Sequence, residues 1–204
     1  MNFGIMRDPC FTDEFEINEY EMESLKRWLN RPTPHKLQIN GTGFHNIYWE
    51  GSFNVSEEIH EGKRVGANLT FTCNAPYGYK NFYDVTWESG GQPLTVTDIS
   101  DEIGYIYPTL KIKCKAGGEF VLSDQAGNTT RIKNCVSGET ITILPNLQIT
   151  TDNDTHRKTI YDDFNYVFPK VENSFRSRKN VYQTSGIGCS IVFSYKPIAK
   201  AVAL

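Results

Sequence analysis

Acidic side chains are the first candidates for chemistry in this sequence. Asp162 and Asp163 are adjacent, and Asp152 and Asp154 flank one asparagine, so each pair could supply two carboxylates for acid–base catalysis or for calcium binding. Adjacent residues of a strand point to opposite faces, and the glycine and closing glutamate of an EF-hand loop are missing. The pattern therefore favours solvated turns at both places.

Cysteine and histidine are too scattered along the chain to indicate a metal site. The residues concerned are Cys10, Cys73, Cys114, Cys135, Cys189, His35, His45, His60 and His156. An odd number of cysteines without a CxxC pair fits neither a zinc site nor a complete disulfide framework. Cys73, Cys114 and Cys189 fall on the apolar side of strand-like runs, so they are expected to be reduced and buried.

Motifs of the common catalytic and cofactor sites are also missing from the sequence. It contains no GxSxG nucleophile turn, no HExxH zinc motif and no GxxxxGK[ST] phosphate loop. The sequence therefore predicts no catalytic residues, no metal ligands and no cofactor, and it indicates that the protein is not an enzyme.

Composition favours a mainly β protein that does not bind nucleic acid. The chain has 204 residues, enough for one or two domains, and isoleucine, valine and threonine far outnumber alanine and leucine. A net charge of -3 leaves no cationic excess to neutralise phosphates. The first residues lack a signal-peptide pattern and no apolar run is long enough to span a bilayer, so membrane insertion is not expected.

One helix is predicted, over residues 18–30. Asn18 and Glu21 have the spacing of a capping box, and Pro32 and Pro34 end the segment. The apolar positions are Met22, Leu25, Trp28 and Leu29, whose spacing predicts a stripe that packs against a core.

Short strand-like runs follow the helix in two groups. The first group covers 35–39, 46–55 and 64–73, with a polar, acidic loop predicted over 56–63. The second group covers 82–88, 105–115, 119–124, 129–134, 139–143, 147–150, 181–184 and 189–195, a spacing typical of a β-sandwich or barrel. A turn-rich stretch near residue 79 separates them, so we predict domains over 1–78 and 79–204.

The clearest alternation in the second group is a row of three lysines. Lys111, Lys113 and Lys115 alternate with Leu110, Ile112 and Cys114. The row is expected to form a solvated face, with a shielded sheet edge or a site for an acidic partner as alternatives.

Several segments resemble the distal tail proteins of tailed bacteriophages that infect Gram-positive hosts. In the first part they are 26–32 (KRWLNRP), 35–39 (HKLQI), 49–55 (WEGSFNV) and 66–79 (GANLTFTCNAPYGY). In the second part they are 118–122, 132–135, 138–143, 161–169 and 186–197. These diffuse motifs cover nearly the whole chain, and none of them is catalytic.

The resemblance implies a fold and an assembly. Residues 1–78 would form a belt-type part, a small antiparallel sheet with one helix, and residues 79–204 a galectin-like β-sandwich. Such proteins form a homo-hexameric ring that links the tail tube protein to the tail-tip hub protein and can carry receptor-binding proteins. The expected location is the phage tail tip of the virion, after assembly in the bacterial host cytoplasm.

The resemblance also implies strands ahead of the helix, for which this chain has little sequence. The N-terminal part is therefore expected to be truncated or to be completed by another chain.

Four residues are candidate interface anchors, and one alternative function stays open. Tryptophan and arginine dominate interface hot spots, and the candidates are Arg27, Trp28, Arg31 and Trp49, although core packing is the preferred interpretation for Trp28. The alternative is a carbohydrate-binding module that engages host cell-wall polysaccharide, with Tyr105, Tyr107 or Trp87 as an aromatic platform. A cell-wall hydrolase is disfavoured because no acid–base pair is evident.

Overall fold

The computed structural model describes residues 1–6, 16–39 and 46–200, and these residues form two compact units. Unit 1 spans Met1–Gly78 and unit 2 spans Tyr79–Lys200. Antiparallel strands dominate both units, which confirms the mainly β class predicted from composition. No helix in the described ranges is long and apolar enough to cross a membrane.

Unit 1 contains one four-stranded antiparallel sheet and one helix. The elements are β1 (Asn2–Met6), α1 (Glu19–Leu29), β2 (His35–Leu37), β3 (Trp49–His60) and β4 (Lys63–Cys73). The strand order is β1-β4-β3-β2, so the two long strands pair in the centre and β1 and β2 are the outer strands. The sequence does not predict β1, which precedes the helix and pairs with β4 from Asn2 opposite Thr70 to Met6 opposite Gly66.

The central hairpin is longer than the sequence predicts. The acidic loop predicted over 56–63 is wrong, because β3 and β4 pair from Gly51 opposite Cys73 to His60 opposite Lys63. The turn consists only of Glu61 and Gly62, whose φ angles of 48° and 78° are the positive values that a two-residue hairpin turn requires.

The predicted helix and its cap are confirmed. The Asn18 side chain accepts a hydrogen bond from Glu21 N at 2.9 Å, and the Glu21 carboxylate accepts one from Asn18 N at 3.0 Å. Two orphan amides at the helix start are thereby satisfied. Met22 and Leu29 of α1 are buried with two residues of β4, and together they form the core of unit 1.

Unit 2 is a β-sandwich with short helical segments near one end. Its strands, with one at the junction of the units, are β5 (Gly78–Tyr79), β6 (Tyr83–Glu88), β7 (Leu94–Thr97), β8 (Gly104–Ile106), β9 (Thr109–Cys114), β10 (Gly118–Asp124), β11 (Thr129–Cys135), β12 (Thr140–Ile143), β13 (Ile149–Thr151), β14 (Val171–Asn173), β15 (Lys179–Gly186), β16 (Cys189–Tyr195) and β17 (Ile198–Ala199). A 3₁₀ turn (His156–Lys158) and the one-turn helix α2 (Ile160–Asp163) lie between β13 and β14.

Two sheets of unit 2 share one apolar core. Their strand orders are β11-β10-β15-β7 and β13-β12-β9-β16-β6. Tyr182 of β15 and Phe193 of β16 belong to different sheets, yet their ring centroids are 5.0 Å apart in the core. The predicted sandwich is therefore confirmed.

The lysine row lies on the outer face of a central strand. Leu110, Ile112 and Cys114 are buried, whereas Lys111 and Lys113 are exposed, as the alternation predicts. Because β9 lies between β12 and β16, the alternative that these lysines shield a sheet edge is wrong. A solvated face remains the interpretation that fits.

Candidate functional site

The outer face of α1 carries exposed aromatic and cationic side chains. Tyr20 is 78% exposed and Trp28 is 60% exposed, and Arg27 and Arg31 are exposed beside them. The Arg31 guanidinium donates to the Trp28 carbonyl at 3.0 Å, which fixes both residues at the helix end. We call Tyr20, Arg27, Trp28 and Arg31 the α1 face.

The preferred interpretation of Trp28 as a core residue is wrong for unit 1. The helical stripe divides, because Met22 and Leu29 point to the core while Trp28, one position before Leu29, is rotated by about 100° away from it. A tryptophan exposed to solvent on a short helix is unusual in a monomer, and exposed tryptophans are common anchors of protein interfaces.

A network of ion pairs holds α1 on the sheet. Glu57 of β3 accepts from Lys26 Nζ at 2.9 Å and from Arg64 Nε at 2.7 Å, and Glu23 also contacts Lys26 at 3.0 Å. The two cations lower the pKa of Glu57, and the two carboxylates raise the pKa of Lys26. The ion pair between Lys26, in the last turn of α1, and Glu57 of β3 thus helps to set the orientation of the α1 face.

Trp49, the remaining candidate interface anchor, does not lie on this face, because it is buried in unit 1. It is 4% exposed and begins β3. The alternation of the strand places it on the same side as Phe53 and Val55, which pack against the core beneath α1. Its indole ring is a core component of unit 1.

Unit 2 carries a row of aromatic rings that the sequence only partly indicated. Tyr105 and Tyr107 have ring centroids 5.3 Å apart, Tyr107 and Phe168 6.4 Å, Phe168 and Phe164 5.0 Å, and Phe164 and Tyr166 5.4 Å. Tyr105 and Tyr166, at the two ends, are 58% and 60% exposed. We call these five residues the aromatic row.

Of the predicted platform residues, Tyr105 is accessible to a ligand and Trp87 is not. Lys170 Nζ lies 5.4 Å from the centre of the Tyr105 ring, so a charge accompanies the exposed end of the row. Trp87, the third platform candidate, is 9% exposed and donates from Nε1 to Gln92 O at 3.0 Å. It is a core residue and therefore no platform.

A buried acid–histidine–acid group lies between β12 and α2. His156 Nδ1 donates to the Glu139 carboxylate at 2.9 Å, and His156 Nε2 faces Asp163 Oδ2 at 3.5 Å. The side chains of Glu139 and His156 are 0% and 1% exposed. Neither Nε2 of His156 nor Oδ2 of Asp163 has a hydrogen-bond partner among the described residues.

This group corrects the prediction of solvated turns for one of the two acidic pairs. Asp162 is exposed, but Asp163 has a side chain only 10% exposed because α2 turns it towards His156. Asp152 keeps its role as a turn residue, and its carboxylate accepts from Thr140 N at 2.7 Å, which lowers its pKa. Sequence spacing gave no sign of the contact between Glu139 and His156.

Ligand-type side chains also meet where sequence spacing predicted no cluster. One ligand atom from each of Cys114, Cys135 and Glu139 lies within 4.8 Å of the other two, and all three residues are buried. The thiols of Cys114 and Cys189 are reduced and buried as expected, whereas Cys73 is only partly buried. Cys10 and His45 lie outside the described residues.

The fold has a counterpart among solved structures. The SPP1 Dit protein, whose crystal structure is described as a paradigm of the hub adsorption apparatus in phages infecting Gram-positive bacteria, matches with a TM-score of 0.59 and 15% identity over 96% of this chain and 76% of that chain. The phage p2 baseplate in its activated conformation with Ca matches with a TM-score of 0.48 and 13% identity, over 94% of this chain and 78% of that chain. The same baseplate with Sr matches with a TM-score of 0.46 and 11% identity, over 91% of this chain and 76% of that chain. The likeness to SPP1 Dit confirms, at the level of the fold, the predicted resemblance to distal tail proteins.

Family models divide the chain as the fold does. No curated protein matches the sequence. The model described as a phage tail protein N-terminal domain matches residues 1–75, and the model described as a phage tail C-terminal domain matches residues 77–195. The chain therefore belongs to this family of two-domain phage tail proteins.

Proposed function

We propose that the protein is a structural component of the phage tail tip, copies of which form a hexameric ring between the tail tube and the tail-tip hub. Host-recognition proteins would attach to the ring. The likeness of nearly the whole chain to the fold of SPP1 Dit, a protein of a hub adsorption apparatus, supports this location. The observation that carries assembly is the α1 face, because Trp28 is 60% exposed there while Met22 and Leu29 of the same helix are buried.

A closed ring requires two different surfaces on each protomer that meet between neighbours. The α1 face supplies one candidate surface. The outer strand β1 supplies another, since β4 is its only strand partner among the described residues and since Ile5 and Met6 on it are 38% and 75% exposed. An outer strand with free backbone groups can extend its sheet with a segment of another chain.

The proposed role is structural and not catalytic. The Glu139–His156–Asp163 group has the appearance of a catalytic relay, but His156 Nε2 has no hydrogen-bond partner in the described part of the chain. No described hydroxyl or thiol is therefore poised as a nucleophile on this imidazole. Clearing of host cell-wall suspensions by the pure protein would contradict this assignment.

We expect the substitution Trp28→Ala to weaken ring assembly without unfolding the protomer. Loss of a tryptophan hot spot costs on the order of 2 kcal/mol at each interface, about a thirtyfold increase in Kd. Because Trp28 is 60% exposed, the free energy of unfolding should change by only about 0.5 kcal/mol. Native mass spectrometry across a concentration series measures the first quantity, and urea unfolding measures the second.

A matched control for this variant is Tyr161→Ala in unit 2, where the tyrosine is 53% exposed. The control should assemble like the unmodified protein. A hexamer that persists in Trp28→Ala at every concentration would show that the α1 face lies outside the interface. If the unmodified protein stays monomeric at all concentrations, the proposal of a hexameric ring is wrong.

A second candidate function, carbohydrate binding, is favoured by the aromatic row. Sugar rings stack on exposed aromatic faces, and Tyr105, with Lys170 beside it, is one of the two exposed ends of the row. If the row binds host cell-wall polysaccharide, Tyr105→Ala should lower affinity about fivefold to tenfold in calorimetry, whereas Tyr20→Ala in unit 1 should not. A complete lack of signal on a glycan array for the unmodified protein would exclude this candidate.

A further inference from the structure

Cys114, Cys135 and Glu139 form a buried cluster at one end of the sandwich. Cys114 ends β9 in one sheet, Cys135 ends β11 in the other, and Glu139 directly precedes β12. The three residues are 1%, 3% and 3% exposed, and their ligand atoms lie within 4.8 Å of one another. Three donors around one point, contributed by both sheets, have the composition of a metal site.

Backbone contacts place these side chains before any ion is bound. Cys114 N donates to Glu139 O at 2.9 Å, and Gly138 N donates to Cys114 O at 2.8 Å. The segment that carries Glu139 is thereby fixed against the strand that carries Cys114. A donor set held by the main chain requires little reorganisation when it closes around an ion.

Hydrogen bonds to both oxygens hold the Glu139 carboxylate in place. One oxygen accepts from Val136 N at 2.6 Å and the other from Thr151 Oγ1 at 2.9 Å, and His156 Nδ1 lies 3.0 Å and 2.9 Å from the two. Its three present donors orient it, in the manner of the outer-sphere hydrogen bonds that orient metal ligands.

The two thiols face each other across the cluster, with their sulfur atoms within 4.8 Å. Cys135 Sγ also lies 3.4 Å from Ile132 O. Thiolate is the form of cysteine that coordinates metals.

We propose that Cys114, Cys135 and Glu139 bind a thiophilic divalent cation of the zinc class, which joins the two sheets of unit 2. Two sulfur ligands exclude calcium and magnesium, which prefer oxygen. Tetrahedral zinc with bonds of about 2.0–2.3 Å needs donors roughly 3.3–3.8 Å apart, so a contraction of less than about 1.5 Å would complete the site.

Cadmium titration of the metal-free, chemically reduced protein tests this proposal directly. We expect one Cd²⁺ per chain in native mass spectrometry, an ultraviolet absorption band from thiolate-to-cadmium charge transfer, and a higher thermal midpoint. Cys114→Ser and Cys135→Ser should each lose the band and weaken binding at least about tenfold. Zn²⁺ should compete with Cd²⁺ for the site and abolish the band.

Cys189→Ser is the matched control. Cys189 is as buried as Cys114 and lies opposite it in register on β16, but its thiol is hydrogen-bonded with Ser89. This variant should bind cadmium like the unmodified protein, and so should Cys73→Ser in unit 1. If either serine variant at the cluster fails to fold, the titration of the unmodified protein still decides the question.

Three results would overturn the proposal. The first is a folded, reduced, unmodified protein that gives no charge-transfer band. The second is binding that survives in folded Cys114→Ser or Cys135→Ser, or is lost in folded Cys189→Ser. The third is a Cys114–Cys135 disulfide that forms even when the protein is purified under reducing conditions, which would make the pair a covalent link and not a pair of ligands.

Discussion

Replacing Glu139 with alanine is expected to lower the free energy of unfolding of unit 2 by about 3–5 kcal/mol. The substitution leaves Val136 N, Thr151 Oγ1 and His156 Nδ1 without the acceptor that they share in the folded state. Each of these donors gives up hydration on folding and would then have no acceptor in its place. Urea unfolding in the presence of a chelator measures the effect without any contribution from bound metal.

Glu88→Ala, the loss of an exposed glutamate, is the control for Glu139→Ala. Glu88 pairs with Lys115 at 2.7 Å, yet its side chain is 57% exposed, so Glu88→Ala should leave the urea midpoint nearly unchanged. Glu139→Gln keeps one acceptor oxygen and should fall between the two. A stability for Glu139→Ala within about 1 kcal/mol of the unmodified protein would mean that the buried group does not hold the end of the sandwich together.

The substitution Gly186→Ala, which adds one methyl group, is expected to lower the free energy of unfolding of unit 2 by at least about 3 kcal/mol. Gly186 ends β15 opposite Phe120 of β10 and has a φ of 85°. A Cβ atom there would collide with the Glu119 carbonyl oxygen, which is also the acceptor of Ile187 N at 3.0 Å. The collision involves backbone on both sides, so no change of rotamer relieves it.

The substitution Gly127→Ala distinguishes the cost of the left-handed backbone from the cost of the steric collision. The φ of Gly127 is also 85°, but a Cβ atom there would meet nothing within 4 Å. Gly127→Ala should therefore show only the cost of a left-handed backbone, about 1–2 kcal/mol. Equal losses in the two alanine variants, measured by thermal or urea unfolding, would show that the β10–β15 contact yields easily and that the steric argument is wrong.

Local patterns predicted the elements that local interactions determine. The helix was predictable because Asn18 and Glu21 satisfy each other within four residues, and β9 because Leu110, Ile112 and Cys114 alternate with lysines. The β3–β4 hairpin was predicted too short, since Glu57 and Glu58 suggested a loop. In the structure Glu57 is held by Lys26 and Arg64, partners that its own segment does not contain.

The candidate sites depend on contacts between residues distant in sequence, and patterns along the chain do not record such contacts. Trp28 and Leu29 are neighbours in one apolar stripe, and only the direction in which α1 meets the sheet decides which of them is buried. His156 reaches Glu139 because the 3₁₀ turn packs against β13, and α2 packs against β13 and β11. The Cys114–Cys135 contact likewise requires that the two sheets face each other.

The position of β16 sets an order of events during synthesis. β16 lies between β9 and β6 in the middle of its sheet, although it is the last long strand to leave the ribosome. The hydrogen bond from Cys189 N to Ser89 Oγ spans 100 residues, which corresponds to roughly 5–20 s of elongation. β6 and β9 cannot reach their final places in the sheet until β16 is synthesised, so we expect unit 1, whose strands all come earlier, to fold before unit 2.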